Sequence, residues 1–242
     1  MPGYTLHRKA IAMIELIFAI VIMGLALMSA PMLISQASMG GLAAVQQEAI
    51  VAASTELGMI MTRHWDEADT DESDYGPILV VNEDISALNE AVVDGNKTGK
   101  RIGIPAPSSR SFLTSDGSRL NASATLNNED GDFDDIDDFN GKHTTLTVAA
   151  GDSTTTDVGD YIDTSLQMDT SVSYLPAPDI SYAATTISFN DPFSSTSANS
   201  SNIKSISTTV TSGSHDSELG TNITLRAFMC NIGTYILKRR TF

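Results

Sequence analysis

A chain of 242 residues with 30 acidic and 14 basic side chains carries a formal charge of −16. A surface of that sign repels nucleic acid and anionic lipid headgroups, so no nucleic-acid partner is expected, and it favours solubility and divalent-cation binding. The hydrophobic content of 41% excludes wholesale disorder, and the single cysteine, Cys230, excludes an intrachain disulfide. Cys230 itself reads as a small strand residue near the C-terminus.

Residues 1–10 read MPGYTLHRKA, and residues 11–34 then run IAMIELIFAIVIMGLALMSAPMLI, with Glu15 as the one charge. About 20 apolar residues suffice to span a bilayer as a helix. Arg8 and Lys9 immediately before the run keep that end cytoplasmic, with the rest of the chain exported. A secretory signal peptide fits poorly, because its core is usually only about 7–15 residues. Met28 also stands where a small residue is needed for a cut after Ala30, and Pro31 would follow that cut. A plain membrane anchor explains length and orientation but leaves Glu15 unexplained. A carboxylate in a lipid-facing helix costs roughly 2–3 kcal/mol on insertion scales, so such a residue usually has a partner. Cleavage after Ala10 would supply one, the new α-amine of Ile11. In a helical array, Glu15 of one subunit could neutralise the Ile11 amine of a neighbour, and axial register would follow.

Arg8-Lys9-Ala10 followed by Ile11-Ala12-Met13-Ile14-Glu15-Leu16-Ile17 resembles the prepilin cleavage and methylation motif of type IV pilin-like proteins. There a small residue precedes the cut, an apolar residue follows it, and a glutamate is the fifth residue after it. Gly24 and Pro31 fall close to where pilin helices often carry glycine and proline. The resemblance implies a membrane aspartyl peptidase that cuts after Ala10 and N-methylates Ile11, with Glu15 serving assembly. The chain departs from the usual pattern twice, with Ala10 in place of glycine and Ile11 in place of phenylalanine. Both replacements keep the chemical character of the site. Loss of Arg8 and Lys9 with the leader would bring the charge near −18.

Beyond the membrane segment, residues 42–64 contain no proline, and Ile50, Ala53, Leu57 and Met61 recur at helical spacing. A helix over residues 11–64 would be about 80 Å long, with Pro31 and Gly40-Gly41 as weak points. Residues 66–74, DEADTDESD, hold six acids in nine and are expected to end the helix in a solvated loop. Ile78–Val81 is a short strand candidate, and residues 94–128, rich in glycine, serine, proline and asparagine, are expected to be irregular. Strands are expected at Leu146–Ala150, at Leu166–Tyr174 and around Ile187 and Phe189. Two more, 203–211 and 221–229, flank a hairpin loop. In the last, Ile223, Leu225, Ala227 and Met229 share a face. The fold class is α+β: a long N-terminal hydrophobic helix packed on a C-terminal antiparallel β-sheet domain. The divisions are a leader over 1–10, the helix over 11–64 with 11–34 transmembrane, and an extracytoplasmic β-rich domain over 65–242, about 175 residues and enough for one core.

Residues 129–138, EDGDFDDIDD, hold seven acids in ten. Asp130, Asp132 and Asp134 are spaced as alternate oxygen ligands of a calcium loop. The match to an EF-hand then fails, since Asp135 stands where glycine is needed and Gly141 where a bidentate glutamate is needed. A solvated, self-repelling loop is the plainer reading, with Phe133, Ile136 and Phe139 as apolar pins. A calcium loop of another kind is the alternative, and no other cofactor is expected. Residues 132–141, DFDDIDDFNG, also resemble a motif in minor pilins of the mannose-sensitive haemagglutinin type, as do Ser207–Thr211 and Ile223–Phe228 more loosely. Asp94-Gly95-Asn96-Lys97-Thr98 fits the longer bacterial N-glycosylation sequon. The four histidines form no metal-ligand spacing, and His215-Asp216-Ser217 is a loop triplet rather than a triad, so no enzyme is expected.

The expected function is that of a structural subunit, a minor pilin or pseudopilin, of a type IV pilus-like filament or a type II secretion pseudopilus. The resemblance implies other pilin subunits, the prepilin peptidase and an inner-membrane assembly platform as partners. It places the chain in the bacterial inner membrane before assembly and in a periplasmic or cell-surface filament afterwards. The alternative is a membrane-anchored periplasmic binding or sensory domain that never polymerises.

Overall fold

The computed structural model describes residues 6–70, 76–83, 85, 87–148, 164–176, 185–186, 191, 193–212 and 219–234. The chain opens with one helix, α1, Leu6–Ile60, which carries Pro31 inside it. Runs of alanine, leucine, methionine and isoleucine favour a helix, and a helix is also the form in which an apolar segment satisfies its own backbone. Gly40 and Gly41 lie within it, so the glycine pair does not interrupt the element. The helix stops at Ile60, short of His64. The backbone N–H of His64 instead donates to Asp134 O (3.2 Å), and His64 O accepts from Ile136 N (3.1 Å). This short parallel bridge draws the chain out of helical register.

Four antiparallel strands follow in sheet order β3-β4-β5-β6: β3, His143–Val148; β4, Thr164–Tyr174; β5, Ile203–Ser212; and β6, Ile223–Cys230. Each pairs with its neighbour in sequence, the simplest meander. Alternation fixes the faces, because a strand's side chains point to opposite sides in turn. In β6 Ile223, Leu225, Ala227 and Met229 are half-buried while Thr224, Arg226 and Phe228 are exposed, as their spacing predicts. The Ile187 and Phe189 strand candidate and Ala150 lie outside the described residues, as does most of the expected β5–β6 loop.

α1 packs on β5 and β6 through Ala49, Ala53, Leu57 and Ile60, all buried. The expected stripe was partly out of phase: Ile50 and Met61 are exposed, and Ala49 and Ile60 take their places. The two alanines let the helix approach closely, and Ala49 and Ala53 meet Leu166, Met168, Val210 and Leu219. Leu57 and Ile60 enter a second cluster with Trp65, Leu79, Ile136, Phe139, Val172, Tyr174 and Ile206. Burial of a Leu or Ile side chain is worth about 1.5–3 kcal/mol, so these two anchor the end of the helix.

Two expectations are corrected before the sheet. Residues 94–128 are not irregular throughout: β1, Glu90–Val93, and β2, Asn96–Arg101, form an antiparallel hairpin. Its turn is Asp94-Gly95 with φ of 50° and 78°. Positive φ at both central residues is what a tight hairpin turn requires and what the Asp-Gly pair supplies. Ile78–Val81 forms no strand, only an isolated bridge between Val80 and Asn121. Arg101 ties the hairpin to the sheet, donating to Leu88 O, Asn231 O and Asn202 Oδ1.

Candidate functional site

Two features carry chemistry: the apolar half of α1 and a buried charge centre at the end of α1. From Met13 to Ile34, fifteen large apolar side chains are 52–79% exposed. Soluble monomers rarely expose contiguous apolar surface beyond a few hundred Å², so this length needs a covering of lipid or protein. Within the described residues it is the one helix long and apolar enough to cross a membrane. Ala10 and Ile11 lie in its first turns, and Glu15 stands exposed four residues beyond Ile11. The Ala10–Ile11 bond is therefore helical in the uncut chain.

The charge centre begins where α1 ends. Trp65 is buried, and Asp66 caps a short 3-10 turn, Glu67–Asp69, accepting from Ala68 N while Asp69 Oδ1 accepts from Asp66 N. This corrects the expectation of a solvated loop from residue 66, since Asp66 is 0% and Asp69 6% exposed. The second acidic run is corrected in the same way. Ile136 and Phe139 pin it inside while Phe133 stays exposed, and a 3-10 turn at Asp137–Phe139 carries Asp135, Asp137 and Asp138 inward with them.

A lysine stands between the two runs. On β5 the inward positions are Lys204, Ile206, Thr208 and Val210, so Lys204 enters the core in phase with apolar neighbours. It is fully buried. Its Nζ donates to Trp65 O (2.7 Å), Asp66 Oδ2 (2.9 Å) and Asp137 Oδ2 (2.7 Å). Those three bonds use every hydrogen an ammonium has. Asp137 Oδ1 lies 2.6 Å from the same nitrogen yet receives no hydrogen bond. The Trp65 ring lies 4.0 Å and the Tyr174 ring 5.3 Å from Nζ. Tyr174 Oη donates to Ser123 O (2.7 Å), and the Ser123 N–H reaches both oxygens of Asp66 at 3.1 Å.

One buried ammonium thus faces five buried carboxylates: Asp66, Asp69, Asp135, Asp137 and Asp138. Low dielectric disfavours the charged form of Asp69, Asp135, Asp137 and Asp138. Burial, partly opposed by Lys204, pushes Asp137 up to about 7. Burial and the neighbouring Asp137 push Asp135 up to about 8. Burial likewise raises Asp69 to about 6 against the pull of His64, whose Nδ1 lies 3.6 Å from Asp69 Oδ1.

Of the candidate calcium ligands, Asp132 and Asp134 converge with Asp138 so that one oxygen of each lies within 4.8 Å of the others; Asp130 is outside that trio. Asp130 Oδ1 instead accepts from Asp132 N (3.3 Å). Asp138 Oδ2 accepts from the backbone of Asp134 (3.0 Å) and Asp135 (3.1 Å), so the turn itself accounts for its place. Asn96 of the glycosylation sequon follows directly on the hairpin turn, and the His215-Asp216-Ser217 triplet lies outside the described residues.

Sequence reasoning missed Lys204, Asp66 and Asp137 as a unit. The signal was present in β5, where Lys204 keeps the phase of Ile206 and Val210. No family model matches the chain, and neither does a curated protein or a solved structure.

Proposed function

We propose that this chain is a structural subunit, a minor pilin or pseudopilin, of a type IV pilus-like filament or a type II secretion pseudopilus. A prepilin peptidase cuts it after Ala10 and methylates Ile11. An inner-membrane platform then passes the helix from lipid into a bundle of like helices. The observation that carries this reading is the exposed apolar half of α1, interrupted by one carboxylate, Glu15, five residues into the trimmed chain. The exposed apolar surface accepts either lipid or other helices. The carboxylate favours the second, because a bundle of trimmed subunits brings the Ile11 amines of neighbours to the depth of Glu15, where lipid offers no cation. An α+β domain held on the last turns of α1 leaves the first turns free to pack in such a bundle.

Mass spectrometry of the N-terminus of the native protein tests the reading. A product that starts at methylated Ile11 supports it. An intact leader, or a cut beyond Pro31, refutes it in favour of a membrane-anchored domain that does not polymerise. Glu15→Ala is expected to be trimmed normally but to fall several-fold in sheared filaments, and wild-type amounts there would remove Glu15 from assembly.

A further inference from the structure

Assembly through the first turns of α1 makes no use of Lys204, a fully enclosed charge whose partner Asp66 is equally enclosed. We propose that Lys204 Nζ and Asp137 Cγ become joined as an intramolecular amide, formed by the folded chain itself with Asp66 as the proton carrier.

The roles follow from the contacts. Asp137 presents both oxygens to Nζ, at 2.6 and 2.7 Å. That straddling contact brings Cγ within the ~3–3.5 Å of a near-attack pair. The Oδ1 atom receives no hydrogen bond, so the Lys204 ammonium alone faces this oxygen. Asp66 is the opposite case. It touches Nζ at 2.9 Å while also accepting from Ser123 N and Ala68 N, which stabilise its charge. Attack at Asp66 Cγ would break those bonds, whereas a proton can come and go on Oδ2 without disturbing them. The side chains of Lys204 and Asp66 are 0% exposed and that of Asp137 3%. With Trp65 and Tyr174 packed on Nζ, bulk water is kept from the site. An amide replaces a buried ion pair by a neutral group, removing a cation and an anion whose desolvation is otherwise a standing penalty.

The steps balance. One proton passes from the Lys204 ammonium to an Asp137 oxygen, giving a neutral amine and a carboxylic acid. The nitrogen lone pair then forms the N–C bond at Cγ. A second proton leaves nitrogen for Asp66 and is returned to the departing hydroxyl as the C–O bond breaks. One water is lost, the third hydrogen stays on the amide nitrogen, and no oxidant or co-reactant is consumed.

The test is the mass of the full chain purified in detergent, followed by proteolysis and fragmentation. The expected result is a deficit of one water and a branched peptide joining residues 137 and 204. A full mass overturns the proposal. So does a deficit without the branched peptide, since a succinimide at Asp94-Gly95, Asp116-Gly117 or Asp130-Gly131 loses the same water but leaves linear peptides. Asp66→Asn keeps both reacting groups and should form the bond roughly a hundredfold more slowly, the effect of losing one positioned proton-transfer group. An unchanged rate would overturn the role given to Asp66. The outcome is independent of whether the chain polymerises.

Discussion

Asp135→Asn should make the protein more stable, and increasingly so as pH rises. Asp135 is 0% exposed; its Oδ1 accepts from Asp138 N (3.1 Å) and its Oδ2 has no partner. Asparagine keeps the Oδ1 acceptor and the volume but cannot ionise. In the unfolded chain the aspartate releases its proton near its ordinary 3.8, whereas burial moves this to about 8 in the fold. Between those limits the native state holds a proton that the unfolded state has given up. Raising pH therefore favours unfolding: this group's stabilising effect is complete below about pH 4, declines through pH 8 and is flat above.

Each pH unit across that window is worth up to about 1.4 kcal/mol. Local relaxation and neighbouring acids reduce this to about a third to a half, so the advantage of Asp135→Asn should widen by about 1–2 kcal/mol between pH 5 and pH 8. Asp137 and Asp69 titrate in both proteins and largely cancel in the difference. The assay is urea unfolding of the full chain in detergent, followed by fluorescence of Trp65, the one tryptophan, which is buried beside Tyr174. A penalty for Asp135→Asn that is equal at pH 5 and pH 8 would refute the reasoning. It would mean that the fold holds Asp135 as an anion with a partner.

Other substitutions test the packing. Ala53→Leu, at a fully buried helix position against Leu166 and Val210, should destabilise by about 1–3 kcal/mol in the same urea assay. Leu57→Ala, which opens a cavity at the end of α1, should cost about 2–4 kcal/mol. Gly99→Ala should cost about 1–2 kcal/mol, because its φ is +76° and the new Cβ would lie 2.7 Å from Leu113 Cδ1. An unchanged urea midpoint in any of these would show that the neighbouring side chains have more room than the structure gives them.

The elements that were legible in the sequence are those whose signal is local and repeated. The long helix announces itself by an unbroken apolar run, and β4, β5 and β6 by alternation over eight or more residues. The β1–β2 hairpin was missed although its turn residues were in plain view. Asp94-Gly95 served the sequon reading, and the flanking strands, EAVV and NKTGKR, show too little alternation to be told from loop. The helix stripe slipped at its ends because Ala49 is as buried as any residue in the protein but carries little hydrophobic signal beside Ile50.

The charge centre was illegible for a different reason. Composition treats six acids in nine residues as a solvated run, since burial of several carboxylates is ordinarily prohibitive. What reverses that judgement is one cation placed by strand alternation at residue 204, which pairs with Asp66 and Asp137 across separations of 138 and 67 residues. No local window contains all three. Their meeting point also has a mechanical meaning. Trp65 and Asp66 follow α1 directly, so the link from the last helical turn to the sheet runs through Lys204. In a filament built on α1, tension between helix and domain would be borne there and by the Leu57–Ile60 contact with the sheet.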